Sequence, residues 1–205
     1  MLLSGEIWPD IAATLCRTLL GFTLAASLAI PLGLLLGLSV RVYRALEVVV
    51  DFFRSLPSTA LFPLFLLFFG IGNLAKVAVA VFVCFWIILV SAADGVIHAS
   101  KTRYRVAKIL GARGWQIALR VTLWEALPHI ATGLRVAFPI ALIVILVTEM
   151  FIGTQGGLGQ RIYDAYLTYR VAELYATLII VGLLGYTLNK LFMLLERKFI
   201  HWTGR

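Results

Sequence analysis

The sequence has little of what a soluble protein uses to face water. Asp, Glu, Lys and Arg make up only 14% of its 205 residues, against about 25% in an ordinary globular domain. Cysteine is limited to Cys16 and Cys84, both in apolar surroundings and without metal-ligand spacing. A disulfide scaffold is excluded, and both thiols are expected to be buried and inert. His98, His129 and His201 are scattered, so no metal cluster and no cofactor is expected. No G-x-x-x-x-G-K sequence occurs, so the chain is not expected to hydrolyse nucleotide or to be an enzyme. Acidic residues number 10 against 18 basic ones, giving a net charge of +8. The basic residues are confined to short segments between apolar runs. That pattern reports membrane topology rather than a nucleic-acid partner.

What is abundant is apolar surface: 61% of residues are hydrophobic, and the mean hydropathy is +0.98. Residues 18–40 carry no charge, and 23 helical residues rise about 34 Å, enough to cross a bilayer. Further apolar runs cover 55–73, 77–97, 134–152 and 174–195. One crossing over 55–93 would take 39 residues, so two helices are expected there. The sequence therefore predicts an all-α polytopic membrane protein, a single domain over residues 1–205 with about five transmembrane helices. The first run is too long for a signal-peptide core and is expected to be retained. Trp8-Pro9-Asp10 is expected to open a short interfacial helix through Leu15. Segments 41–55 and 98–135 and the C-terminal tail hold 14 of the 18 Lys and Arg, leaving Arg17, Lys76, Arg161 and Arg170 on the other side. The positive-inside rule then puts the N-terminus outside and the C-terminus in the cytoplasm.

Four features stand out for function. Segment 98–130 reads as two short helices, Ser100–Leu110 and Trp115–Leu127, separated by a stop at Gly111 and ended before Pro128. Such a knob fits a partner's groove, or lies as a basic hairpin on anionic lipid. In 55–72, Pro57 and Pro63 preclude a continuous helix. Discontinuous helices often bound transporter substrate sites, so Ser58, Thr59 and Phe62 are expected to face a translocation cavity; a kink with a packing role is the alternative. Gly33-x-x-x-Gly37 is expected to allow close helix contact. Glu149, near one end of the fourth run, is a functional candidate, a hydrated carboxylate or a partner of Arg161. Asp94 reads as a solvated boundary residue. Gly153, Gly156, Gly157 and Gly159 form a flexible surface loop or a contact surface.

The stretch Arg105-Val-Ala-Lys-Ile-Leu-Gly-Ala-Arg-Gly-Trp-Gln, followed by Val121-Thr-Leu-Trp-Glu-Ala-Leu-Pro128, resembles the cytoplasmic EAA loop of ATP-binding-cassette importer permeases. Ala107, Gly111 and Leu123 match its pattern, E-A-A, three residues, G, nine residues, I-x-L-P. Arg105 stands where Glu is usual, Val106 where Ala is, Val121 where Ile is and Trp124 where Pro is. Thr18-Leu-Leu-Gly-Phe, Arg54-Ser-Leu-Pro-Ser-Thr-Ala, Phe69-Gly-Ile-Gly, Thr132-Gly-Leu-Arg and Thr148-Glu-Met with Gly157-Leu-Gly follow in family order and resemble the nitrate/sulfonate/taurine branch. Typical members carry a further transmembrane helix ahead of the stretch with which this sequence begins.

The resemblance implies a permease subunit in the bacterial cytoplasmic (inner) membrane, importing a small, anionic solute. Its implied partners are ATPase subunits, a periplasmic or lipid-anchored solute-binding protein, a second permease subunit of the same or a different chain, and membrane lipid. ATPase coupling would fall to Arg105, Val106, Ala107, Leu110, Gly111 and Ala112, and binding-protein contact to Gly156, Gly157, Gly159 and Arg161. The rival readings are a self-contained channel or secondary transporter, and an importer of another small solute such as a vitamin precursor.

Overall fold

In the computed structural model, which describes residues 6–153 and 156–199, the apolar runs become helices whose ends are set by proline, glycine and caps. Helix α1 (Trp8–Gly37) has Pro9 in its first turn, where a missing N–H costs nothing, and Asp10 beside its positive end. It continues unbroken past Leu15, so the expected interfacial helix is simply its first part. Ile11, Thr14, Arg17 and Thr18 of that part all face inward, and this burial joins it to the rest. Cys16 is exposed and only Cys84 is buried, correcting the expectation for the first thiol.

The chain returns through α2 (Val40–Ser55), a 3-10 turn (Ser58–Leu61) and α3 (Phe62–Phe69). Residues 41–55, expected as a basic loop, are thus helical. The two halves meet at 85°. Leu56 is extended, with ψ 125, as a residue before proline is driven to be. Pro63 breaks nothing, because it lies in the first turn of α3. Gly70, at φ +71, ends α3.

Helix α4 (Asn73–Ile97) runs parallel to α1 along a seam of small residues. A β-carbon on Gly21 would lie 2.9 Å from the Ala80 Cβ, one on Gly33 2.5 Å from the Leu89 carbonyl oxygen, and one on Gly37 2.6 Å from that of Ala93. The Gly33-x-x-x-Gly37 pair therefore does serve close helix contact. Next come α5 (Lys101–Ile109), α6 (Gly114–Ile117), a π turn (Ala118–Thr122) and α7 (Leu123–Phe151). The expected stop before Pro128 does not occur: Gly114–Phe151 is one run of 38 residues. A proline inside a helix costs about 3 kcal/mol. Ala126 and Ile130, on either side of Pro128, pack against Ala92 and Val96 of α4. Burying one isoleucine is worth about 1.5–3 kcal/mol, so the packing offsets the break.

α7 is antiparallel to α4, with Gly133 against Ser91 and Gly95 against Ala126. Helices α8 (Leu158–Leu167) and α9 (Val171–Phe199) follow. Trp8–Gly37, Asn73–Ile97, Gly114–Phe151 and Val171–Leu194 are long and apolar enough to cross a membrane, and the bent α2–α3 pair makes a fifth crossing if taken as one. The architecture is all-α, with no strand among the described residues. α1, α4 and α9 run one way, and α2–α3 and α7 the other. His201 and Arg205, noted above, lie outside the described residues.

Candidate functional site

One end of the bundle carries the α5–α6 knob. Ser100 caps α5, its hydroxyl accepting from the Arg103 N–H at 3.4 Å. The Ser100 N–H donates to the Glu125 carboxylate, which also pairs with the Arg103 guanidinium at 3.0 Å. Glu125, at the start of α7, thus moors the start of α5. At the other end of α5, Gly111 is left-handed at φ +80. The Ala112 N–H donates to the Ala107 carbonyl at 3.0 Å and the Gly111 N–H to that of Lys108 at 3.1 Å, the double bond of a Schellman turn. Arg105, Val106 and Leu110 are exposed, while Ala107 and Ala112 are half-buried. Ile109 and Leu110 stand out at 84% and 80% exposure. A groove of about 920 Å³ separates α5 from the start of α7, lined by Arg103, Val106, Leu110, Arg120 and Trp124 among others.

The opposite end holds a buried polar cluster. Glu149, on α7, is fully buried and accepts from Arg17 Nη1 at 2.6 Å, from the Thr14 hydroxyl at 2.9 Å and from the Gly159 N–H at 3.0 Å. Neither hydration nor pairing with Arg161 is seen. Gly159 and Arg161 are two residues apart on α8, about 200° around the helix, so both cannot face Glu149. Arg161 turns outward, to Asp10 at 3.1 Å and Glu173 at 3.0 Å. Arg17 also donates from Nε to Asn73 at 2.7 Å and from Nη1 to the Gly156 carbonyl at 2.8 Å. Lys76 is fully buried nearby, and its Nζ has no hydrogen-bond partner. Two of the four basic residues assigned above to loops at this end, Arg17 and Lys76, are therefore inside the bundle.

The glycine loop is shaped by this cluster. A β-carbon on Gly157 would lie 2.5 Å from the Glu149 carboxyl carbon, and one on Gly159 2.1 Å from the Leu146 carbonyl oxygen. Both glycines are buried, while Gly156 is half-buried. The Gly157 N–H donates to Asp10 at 2.9 Å. In the broken segment, Ser58 is half-buried and Thr59 exposed. Phe62 instead points inward among Val79, Ala80, Val144 and Ile145, so it lines no open surface. Asp94 is half-buried and accepts from the Tyr43 hydroxyl at 3.4 Å rather than standing in solvent. Thr14, Arg17, Asn73 and Glu125 were missed from the sequence. The signal for the first two was present: Thr14, Arg17 and Thr18 recur on one face of an otherwise apolar helix.

Comparison with known proteins gives this geometry a setting. The profile of the family described as binding-protein-dependent transport system inner membrane component matches residues 29–203. The chain is 34% identical to a probable ABC transporter permease protein of Brucella abortus, over 100% of this chain and 82% of that one. It is 30% identical to the putative aliphatic sulfonates transport permease protein SsuC of Bacillus subtilis and 29% identical to the taurine transport system permease protein TauC of Escherichia coli, over 98% of this chain and 73% of each relative. A chain of the MetNI methionine ABC transporter, solved in an inward-facing conformation, superposes with a TM-score of 0.79 at 22% identity, covering 100% of this chain and 98% of that one, which shows a shared fold. On the profile match and the 34% relative together, the chain belongs to the binding-protein-dependent transport system inner membrane components.

Proposed function

We propose that this permease subunit forms half of an ATP-driven import pathway for a small anionic solute across the bacterial cytoplasmic membrane. The α5–α6 knob is cytoplasmic and docks on a separate ATPase subunit; the glycine loop and Arg161 lie at the outer face, beneath a solute-binding protein. The observation that carries this reading is the knob itself. A capped helix ends in a Schellman turn and presents Ile109 and Leu110 almost fully exposed, beyond the apolar spans, where bare apolar side chains call for a partner. The basic split along the sequence supports the orientation. The names of SsuC and TauC support a sulfonate-like solute. Closure of the ATPase pair would push the knob, tilt the helices moored to it through Glu125, and open the outer end to delivered solute. A second permease subunit completes the pathway, with the α2–α3 bend around Ser58 and Thr59 facing it.

The test is reconstitution of the chain with its ATPase subunit in liposomes, with taurine and sulfonate uptake followed. Uptake should require ATP and added binding protein, and Gly111→Leu should abolish it while leaving membrane insertion intact. Uptake by the chain alone, without ATPase, would make it a self-contained channel or secondary transporter.

A further inference from the structure

The side of α5 turned away from its groove is cationic. Lys101, Arg105 and Lys108 recur at i, i+4 and i+7 and so fall in one stripe, whereas Arg103, Val106 and Leu110 line the groove. Arg103 is held by Glu125. Among the described residues, Lys101, Arg105, Lys108, Arg113 and Arg120 have no ion-pair partner, and all five are exposed. Glu125 is the one acidic residue in the sequence between Asp94 and Glu149, so nothing local balances this charge.

Distance separates the two classes of anionic partner. Arg135 is the first charge below the uncharged part of α7, and Gly114 lies 21 residues further back along the same helical run. That is about 32 Å at 1.5 Å per residue. The headgroup regions add only about 5–8 Å on each side of the hydrocarbon. The knob's tip, with Ile109, Leu110, Arg113 and Trp115, therefore stands clear of the bilayer, in reach of a protein and not of lipid.

We infer that the ATPase partner presents an acidic rim around an apolar floor, with Arg105, Lys108 and Arg113 meeting carboxylates while Ile109, Leu110 and Trp115 enter the floor. The inference rests on the proposed function and goes beyond it by fixing the charge of the partner surface. It also gives Arg105, which stands where the related loops carry Glu, a positive reason to be basic. Like charges across such a rim repel, so the knob would reject an ATPase built for an acidic loop.

The experiment uses the full chain coexpressed with the ATPase subunit of its own transporter and purified in nanodiscs. Association is measured from 50 to 500 mM NaCl in pure phosphatidylcholine and in 30% phosphatidylglycerol discs. Wild type should lose at least tenfold in affinity across that range, equally in both lipids. Arg105→Glu/Lys108→Glu should bind at least tenfold more weakly at low salt, and Lys replacements of carboxylates on the ATPase should restore it. If the double variant binds as wild type while Ile109→Asp does not, the acidic rim is wrong and the docking role stands. If neither variant affects association, the docking role fails too. A salt response confined to phosphatidylglycerol discs would assign the stripe to lipid and overturn the inference.

Discussion

Glu149 has no water to fall back on. Its three donors come from α1 and from the first turn of α8, so removing the carboxylate leaves the Arg17 guanidinium buried and short of its counter-charge. Breaking a buried pair from one side costs about 3–5 kcal/mol, whereas replacing both partners by apolar groups costs far less. Glu149→Ala should therefore lower the melting temperature in detergent sharply, and Arg17→Met/Glu149→Leu should recover most of the loss. Glycine offers a second test at this scale. Gly159→Ala forces a β-carbon against the Leu146 carbonyl and should destabilise by about 1–3 kcal/mol, while Gly182→Ala on α9 meets nothing and should be neutral in the same melt. Lys76 reads the other way. Its Nζ is buried without a hydrogen bond, so Lys76→Met, which keeps the aliphatic stem and removes the ammonium, should raise the melting temperature.

At the scale of elements, α5 is the piece whose sequence and structure agree best. Its Ser100 cap and Gly111 stop are local signals, carried by residues within one turn of the ends they define. Because nothing lies within 4 Å of a Gly111 β-carbon, a substitution there meets only the backbone cost of a left-handed residue, about 1 kcal/mol. Gly111→Asn, which tolerates that conformation, should retain ATPase association by copurification, and Gly111→Leu should not. The same locality explains what was misread. The Pro57 bend is written in the sequence, but Pro128 looked like a stop because the packing that carries the helix through it lies on α4, about 30 residues away. The Arg17–Glu149 pair spans 132 residues, and no local pattern links the two. Helix existence was therefore readable, and pairings between helices were not.

For the whole molecule, orientation is the property on which everything else depends. Thr102 and Thr168 are exposed at opposite ends of the bundle. In a background without Cys16 and Cys84, Thr102→Cys should resist an impermeant thiol reagent in intact cells and Thr168→Cys should react; the reverse would invert every assignment made here. The seam between α1 and α4 has a mechanical consequence. Two rods joined along their length resist bending far more than two that slide, and here the join is continuous from Gly21 to Gly37. One end of this beam carries Arg17 and Asn73, and the other leads into the knob. A tilt imposed at the knob would reach the polar cluster by leverage, without any side chain changing partners on the way. Prying the beam apart in the middle, as Gly33→Leu would, should leave the ATPase bound and hydrolysing, with uptake lost.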